Sequence, residues 1–138
     1  MRARVSRDNL SRAFVESLYA RNSQALKRWH GHRLCAVDGS QMRLPREPAL
    51  QASFGCQSAV PGEAKQTMGL ASVYYDVLNK VVIDAQRVET RESERYCAAQ
   101  HFDVSKETDL VLYDRGYNAF WMYAYHQNWH ARFACAPG

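Results

Sequence analysis

The segment DLVLYDRGY, residues 109–117, decides the fold, because an unbroken apolar run ends there in an acid, a base and a glycine. A short apolar run bounded in this way predicts a fully buried strand. That strand would deliver the carboxylate of Asp114 to the edge of a sheet. The segment LCAVDGS, residues 34–40, has the same design and would deliver Asp38 in the same way.

The two aspartates are candidate metal ligands if their strands are neighbours. Parallel neighbours lie about 4.8 Å apart and end at one crevice, where open α/β sheets bind their ligands. Two carboxylates held so close repel each other, and a divalent cation such as Mg²⁺ removes that repulsion. The alternative is that Asp38 and Asp114 each only open a turn, as Asp often does.

Composition is typical of one globular domain, with 138 residues, 46% of them hydrophobic and 23% charged. No run approaches the roughly 18 apolar residues that a membrane span needs, and no apolar signal segment follows the arginine-rich start. We therefore expect a soluble, cytoplasmic protein without a membrane partner. The four cysteines form no C-x-x-C pair, so we expect reduced, mostly buried thiols and neither a zinc site nor a redox motif.

Residues 1–32 are predicted to form a basic helical segment that precedes the sheet. Together with Arg33 it forms a basic arm with only two acids, Asp8 and Glu16; the basic residues are Arg2, Arg4, Arg7, Arg12, Arg21, Lys27, Arg28 and Arg33. Such an arm can neutralise the phosphates of a nucleic acid, although a solvated helix face has the same composition. Helical spacing of apolar residues from Leu10 to Tyr19 predicts an amphipathic helix that continues or restarts over residues 23–29.

The centre of the chain divides into an irregular part and a β-rich part. Residues 41–66 hold three prolines and predict one long surface connection. Arg43, Arg46 and Lys65 make this connection a second candidate phosphate contact, although ordinary surface charge explains them equally well. Residues 69–88 contain two apolar, β-branched runs around Asn79-Lys80, which predict a hairpin that reverses there.

The last elements are a crossover helix within residues 89–102, a helix over 117–128 and a final strand over 130–136. His126 and His130 have the spacing of a zinc-binding helix, but no Glu follows the first histidine, so we discount zinc there. The resulting order is strand, hairpin, helix, strand, helix, strand. It predicts an α/β, ribonuclease-H-like mixed five-stranded sheet with flanking helices, in which the strands of Asp38 and Asp114 are adjacent.

An ordered set of short motifs then resembles a known family. These are VDGS at 37–40, RLP at 43–45, FG at 54–55, the hairpin, and LYDRGY at 112–117. Together they are similar to the catalytic domain of DDE-type transposases of bacterial insertion sequences, with the insertion-sequence-four branch most similar. The resemblance covers residues 33–136, so residues 33–138 would be part of a transposase catalytic domain, in a nucleoid-associated bacterial protein.

The resemblance implies metal-dependent DNA strand cleavage and strand transfer at insertion-sequence ends, with Asp38 and Asp114 as the first two catalytic acids and metal ligands. In such enzymes two Mg²⁺ or Mn²⁺ ions about 4 Å apart activate a water or a DNA 3′-hydroxyl. Arg115 would lie beside the scissile phosphate. The predicted DNA-binding residues are Arg43, Arg115, Arg4, Arg7 and Arg12. By analogy, two transposon ends held together would need a homodimer.

The chain departs from the family pattern at the third acid, a Glu that the family carries on a later helix. Glu89, Glu92, Glu94 and Glu107 all precede Asp114, so none of them matches that position. We therefore expect a fragment that lacks the third catalytic acid, with at most residual activity. The alternatives are a non-catalytic truncated protein that binds DNA or inhibits the full-length transposase, and a remnant that folds poorly.

Overall fold

The structure is a computed structural model that describes residues 7–57, 65–89, 94–129 and 131–136. Its helices are α1 (Arg7–Arg21), α2 (Pro48–Phe54), α3 (Glu94–Gln100) and α4 (Phe120–Trp129). Its strands are β1 (Arg33–Arg43), β2 (Cys56–Gln57), β3 (Gln66–Asp76), β4 (Val81–Glu89), β5 (Asp109–Tyr113) and β6 (Arg132–Cys135). Two short 3₁₀ helices, His101–Val104 and Arg115–Tyr117, follow α3 and β5. No helix in the described ranges is long and apolar enough to cross a membrane.

The main strands of the sheet lie in the order β4-β3-β1-β5-β6, and the two-residue β2 pairs with the start of β3. Strand β3 is antiparallel to β1 and to β4, whereas β5 is parallel to both β1 and β6. This order and these directions are those of a ribonuclease-H-like fold. The predicted mixed five-stranded sheet with flanking helices is thereby confirmed, and β2 is a small addition that the sequence did not indicate.

Alternation along β1 and β5 shows which face of the sheet carries the core. Cys35 and Val37 of β1 are buried, as are Val111 and Tyr113 of β5, while the residues between them are only partly buried. Side chains alternate between the two faces of a strand, so one face is covered more fully than the other. The covered face packs against α3, the 3₁₀ helix His101–Val104 and Met122 of α4.

A buried ion pair joins the first residues of β1 and β5. Arg33 is 5% exposed and Asp109 is fully buried, and the guanidinium donates from Nε and Nη2 to the two carboxylate oxygens at 2.8 and 2.6 Å. The Tyr74 hydroxyl donates to the same carboxylate at 2.8 Å. Arg33 therefore belongs to the core, and its assignment to a basic, phosphate-contacting arm was wrong.

Helix α1 ends at Arg21, so the prediction that it continues or restarts over residues 23–29 was wrong. The backbone of Lys27 bonds instead to the side chain of Asn79, which accepts from its N–H at 2.9 Å and donates to its carbonyl at 3.1 Å. The chain then reverses through His30 and Gly31, whose φ angles of 46° and 85° are left-handed. These bonds to the hairpin turn replace the ones that a longer helix would need.

The prediction of one irregular connection over residues 41–66 was also wrong. Antiparallel pairing with β3 prolongs β1 as far as Arg43, which lies opposite Met68. Helix α2 starts with Pro48, a residue tolerated there because the first turn of a helix has no use for its missing N–H. The proline that suggested a loop therefore marks the beginning of a helix.

The remaining elements agree with the sequence to within a few residues. The hairpin reverses at residues 77–80, where the Asp76 carboxylate accepts from the backbone N–H groups of Leu78 and Asn79. Helix α4 begins at Phe120 and not at Tyr117, because the 3₁₀ turn comes first. All four cysteines are free, but only Cys35 and Cys97 are buried, so the expectation of mostly buried thiols holds for half of them.

Candidate functional site

Asp114 follows directly on β5 and starts the 3₁₀ turn Arg115–Tyr117. Its side chain accepts from the backbone N–H of Gly116 at 2.7 Å, a bond that caps this turn. The carboxylate is exposed. Asp114 therefore does open a turn, as the alternative interpretation held, and it does so without being withdrawn from solvent.

Asp38 lies inside β1 and not at the end of the strand, so the predicted strand end at this residue was wrong. Its carboxylate is exposed and accepts from the N–H of Gly39 at 2.9 Å. Because β1 continues to pair with β3 beyond this point, with Asp38 opposite Val73, the residue opens no turn.

The parallel register brings the two aspartates to one level of the sheet. The last paired residues of β1 and β5 are Ala36 and Leu112, and each aspartate stands two positions further along the chain. Beyond that pair β5 ends at Tyr113 while β1 continues to Arg43, so the two segments are no longer paired where the aspartates stand. Open α/β sheets bind their ligands at the carboxyl ends of their strands, and Asp114 lies at such an end.

A third carboxylate, that of Glu94, lies beside the same part of β1. A Cβ atom on Gly39 would stand 3.0 Å from Glu94 Cγ and 3.1 Å from its carboxyl carbon. The absence of a side chain at Gly39 is what allows this close approach. From the sequence, Glu94 was set aside because it precedes Asp114 in the chain, and the structure places it beside Gly39, the residue that follows Asp38.

The strand directions contain a signal that could have located Glu94. Strand β4 is antiparallel to β3, and β3 is antiparallel to β1. Strands β4 and β1 therefore run in the same direction, and their carboxyl ends lie at the same end of the sheet. Helix α3 follows β4 and must therefore start at that end of the sheet, because it belongs to the crossover that leads to β5, a strand running in the same direction. Glu94 is the first residue of α3.

The Tyr117 hydroxyl lies beside Gly39, near enough to Glu94, Asp38 and Asp114 for their charges to act on it. It lies 3.3 Å from the position of a Cβ atom on Gly39, and the side chain is 2% exposed. Among the described residues its oxygen is the buried side-chain polar atom that has no hydrogen-bond partner. Burial raises the pKa of Tyr117, and the negative charges of the three carboxylates raise it further, so the hydroxyl remains a hydrogen-bond donor.

The charge and the donor atoms of these three carboxylates fit a divalent cation. None of Asp38, Glu94 and Asp114 forms an ion pair with a described residue, and carboxylate oxygens are the ligands that Mg²⁺ and Mn²⁺ prefer. Nevertheless, no three His, Cys, Asp or Glu side chains in the described ranges already surround one point at ligand distance. A cation would therefore have to draw these carboxylates together.

Two of the predicted DNA-binding residues lie close to the site in the chain and are exposed. Arg43 is the last residue of β1, and Arg115 immediately follows Asp114. The first turn after β5 thus places a guanidinium next to a candidate metal ligand. Among the described residues neither Arg43 nor Arg115 forms an ion pair.

The other predicted DNA-binding residues are less available or less well placed. Arg12 is paired with Asp84, its Nε lying 3.3 Å from a carboxylate oxygen, and it is partly buried. Arg4 lies outside the described residues, and of Arg7 the structure describes only the backbone at the start of α1. Their roles on DNA remain predictions.

Two other groups of side chains have the composition of chemical sites. Ser72, His101 and Asp84 form a hydrogen-bonded chain, with His101 at 3.0 Å from the serine Oγ and 2.8 Å from the carboxylate. Ser72 has no exposed surface, so no substrate reaches its hydroxyl. His126 is also buried and bonds through its two ring nitrogens to the Ala131 carbonyl and the Tyr113 hydroxyl, which leaves it no nitrogen for zinc. His130 lies outside the described residues.

No protein-family model and no curated protein matches this sequence. Among solved structures, a Mos1 transposase paired-end complex with the left transposon end covers 90% of this chain and 39% of that chain, at 14% identity and a TM-score of 0.46. The Mos1 mariner paired-end complex with Mn covers 89% and 40%, at 13% identity and a TM-score of 0.47. The Mos1 strand transfer complex covers 93% and 40%, at 14% identity and a TM-score of 0.48. The chain thus spans about two fifths of the length of these proteins. A likeness of this degree carries no argument about function, which must come from the site itself.

Proposed function

We propose that this chain forms part of the catalytic domain of a DDE-type DNA transposase of bacterial insertion sequences, most similar to the insertion-sequence-four branch. The proposed activity is metal-dependent cleavage of DNA strands at transposon ends and their transfer to new DNA. The observation that carries the proposal is the register of β1 on β5. It sets Asp38, within β1, at the same level as Asp114, which follows the carboxyl end of the neighbouring parallel strand β5, and both residues are exposed.

In this proposal Asp38 and Asp114 hold divalent cations, Mg²⁺ or Mn²⁺. The chemistry that such cations supply is the activation of a water or a DNA 3′-hydroxyl and the neutralisation of charge on the phosphoryl group. The contribution of the protein chain is to hold the two carboxylates in position. The hydrogen bonds from the Gly39 and Gly116 N–H groups fix one oxygen of each carboxylate and leave the other free to bind a cation.

DNA is the proposed partner. Arg43 and Arg115 are the proposed phosphate contacts near the site of Asp38 and Asp114. Arg115 would place positive charge beside the phosphate that reacts, since it neighbours Asp114. The basic residues Arg4, Arg7 and Arg12, near the start of the chain, would add contacts that do not depend on DNA sequence. A homodimer that holds two transposon ends is part of the same proposal.

Calorimetric titration with Mn²⁺ tests the proposal directly. The wild-type chain should bind the ion, and Asp114→Asn or Asp38→Asn should abolish or strongly weaken binding, because each removes a charged ligand while keeping its size. Asp103→Asn is the matched control, since Asp103 is also exposed but lies in the 3₁₀ helix after α3. Absence of Mn²⁺ binding in the wild type would overturn the metal-dependent function.

The second candidate function is DNA binding without catalysis, or inhibition of a full-length transposase. It is favoured by the observation that the described carboxylates do not yet surround a common point. This alternative expects DNA affinity that falls with salt and survives both Asp38→Asn and Asp114→Asn. Cleavage or joining of transposon-end DNA that requires Mn²⁺ and disappears in both variants would exclude it.

A further inference from the structure

We infer that Glu94 supplies a third carboxylate to the divalent-cation site of Asp38 and Asp114, and that the Tyr117 hydroxyl positions this set of carboxylates by donating a hydrogen bond to it. The inference rests on the proposed metal-dependent function and adds two residues that the motif pattern does not assign. It concerns a glutamate on the helix between β4 and β5, and not the later helix on which the family carries its Glu.

The first step of the argument is proximity. Glu94 approaches β1 at Gly39, the residue next to Asp38, so closely that a single methyl group at position 39 would stand 3.0 Å from Glu94 Cγ. Glu94 begins α3, which follows β4 at the end of the sheet toward which β1, β4 and β5 all run. Its exposed side chain has several rotatable bonds, so its carboxylate can turn toward the other two without movement of the helix.

The second step is that α3 is tied to the turn that carries Asp114. Arg95, the residue after Glu94, donates from Nε to the carbonyl of Gly116 at 2.8 Å. This bond joins the first turn of α3 to the 3₁₀ turn that the Asp114 side chain caps. Glu94 and Asp114 are therefore held on two segments that are linked to each other, although they are distant in sequence.

The third step is the unused hydroxyl of Tyr117. The ring is packed in the core against Tyr113, with 5.5 Å between ring centroids, so the hydroxyl cannot swing out to solvent. A buried donor without an acceptor costs free energy, and the groups that it faces are carboxylates. Such a cost is compensated if carboxylates gathered around a cation present an acceptor to this donor.

Mn²⁺ titration by calorimetry also tests this inference, with Glu94→Gln, Tyr117→Phe and Glu107→Gln. Glu107 is the matched control, because it is an exposed glutamate in the turn before β5, at the opposite end of that strand from Asp114. We expect Glu94→Gln to weaken Mn²⁺ binding by about tenfold or more, since charge count sets the affinity of such sites. Glu107→Gln should bind like wild type.

Tyr117→Phe separates a positioning role from a structural one. Because the hydroxyl has no partner in the metal-free protein, its removal should leave the melting temperature without metal unchanged or raised. The same variant should bind Mn²⁺ about tenfold or more weakly, as loss of a supporting hydrogen bond does at other metal sites. A variant that melts lower than wild type and binds Mn²⁺ equally well would contradict the positioning role.

The outcomes for the two proposals differ. If Asp114→Asn abolishes Mn²⁺ binding while Glu94→Gln binds like wild type, the metal site stands and the role of Glu94 fails. If the wild type binds no Mn²⁺, both proposals fail together. If Glu94→Gln and Asp114→Asn both weaken binding and Glu107→Gln does not, the three carboxylates act as one site.

Discussion

The guanidinium of Arg33 and the carboxylate of Asp109 form a two-point ion pair between the first residues of β1 and β5, with N–O distances of 2.8 and 2.6 Å. The pair is buried, and the residues are direct partners in the parallel register. A slip of one strand past the other would leave both charges unpaired in the core. This contact at the start of the two strands therefore fixes the level at which Asp38 and Asp114 stand further along the chain.

Arg33→Met should destabilise the fold by about 3–5 kcal/mol, because it leaves the fully buried Asp109 carboxylate without its cation. Urea denaturation at pH 7 measures the change. Arg21→Met is the control, since Arg21 is exposed at the end of α1 and should change stability by less than about 1 kcal/mol. The double variant Arg33→Met, Asp109→Leu should recover much of the loss, and a double variant no more stable than Arg33→Met would contradict this account.

Asp84 should make the protein sensitive to acid. Burial alone would raise the pKa of Asp84, but the hydrogen bond and charge of His101, with help from Gln86 and Arg12, lower it from 3.8 to about 2. The folded state thus binds this proton less readily than the unfolded state. Asp84 therefore contributes about 2 kcal/mol to the free energy of unfolding above pH 4, and this contribution is lost as the pH falls toward about 2.

Asp84→Asn should therefore lower stability near pH 7 and flatten its pH dependence between about pH 4 and pH 2. Denaturant unfolding at several pH values measures both effects. Asp103→Asn, at an exposed aspartate, should leave the wild-type slope in place. A slope in Asp84→Asn as steep as in the wild type would assign the acid sensitivity to other groups.

Gly39→Ala should weaken Mn²⁺ binding with little loss of stability. The added methyl group would lie 3.0 Å from Glu94 Cγ and 3.3 Å from the Tyr117 hydroxyl, so the flexible glutamate must move away. Alanine suits a strand at least as well as glycine does, and Gly39 is not among the residues with a left-handed φ. Calorimetry with Mn²⁺ and thermal unfolding measure the two quantities.

The control for this substitution is Ser40→Ala, at the exposed neighbouring position. It should change neither Mn²⁺ affinity nor stability appreciably. Wild-type affinity in Gly39→Ala would show that the position of Glu94 beside β1 is irrelevant to cation binding, and a large drop in stability would show that the methyl group disturbs the sheet itself.

Arg43→Ala and Arg115→Ala should each weaken DNA binding at low salt and reduce the slope of log affinity against log salt by about 1. Both guanidinium groups are exposed, and neither forms an ion pair with a described residue. Fluorescence anisotropy with a labelled duplex, measured at several salt concentrations, gives the slope. Arg21→Ala provides the comparison, and an unchanged slope in Arg43→Ala and Arg115→Ala would remove them from the DNA interface.

The order of the main elements could be predicted because it depends on local patterns. An apolar run ending in a charged residue marked β5, and β-branched runs around Asn79-Lys80 marked the hairpin. Residues 41–66 were misjudged because tertiary contacts decide them. Pairing with β3 extends β1 as far as Arg43. Pro48 had suggested a loop, but it is the first residue of α2.

The sequence by itself determined that Asp38 and Asp114 follow apolar runs and that a crossover helix joins the hairpin to β5. Only the tertiary structure decided that Glu94, Gly39 and Tyr117 meet beside Asp38, and that Arg33 is a core residue. The physical reason is that register and close approach depend on partners distant in the chain. The periodicity of apolar residues indicates which face of a strand is buried. It does not indicate which residue of another element lies opposite.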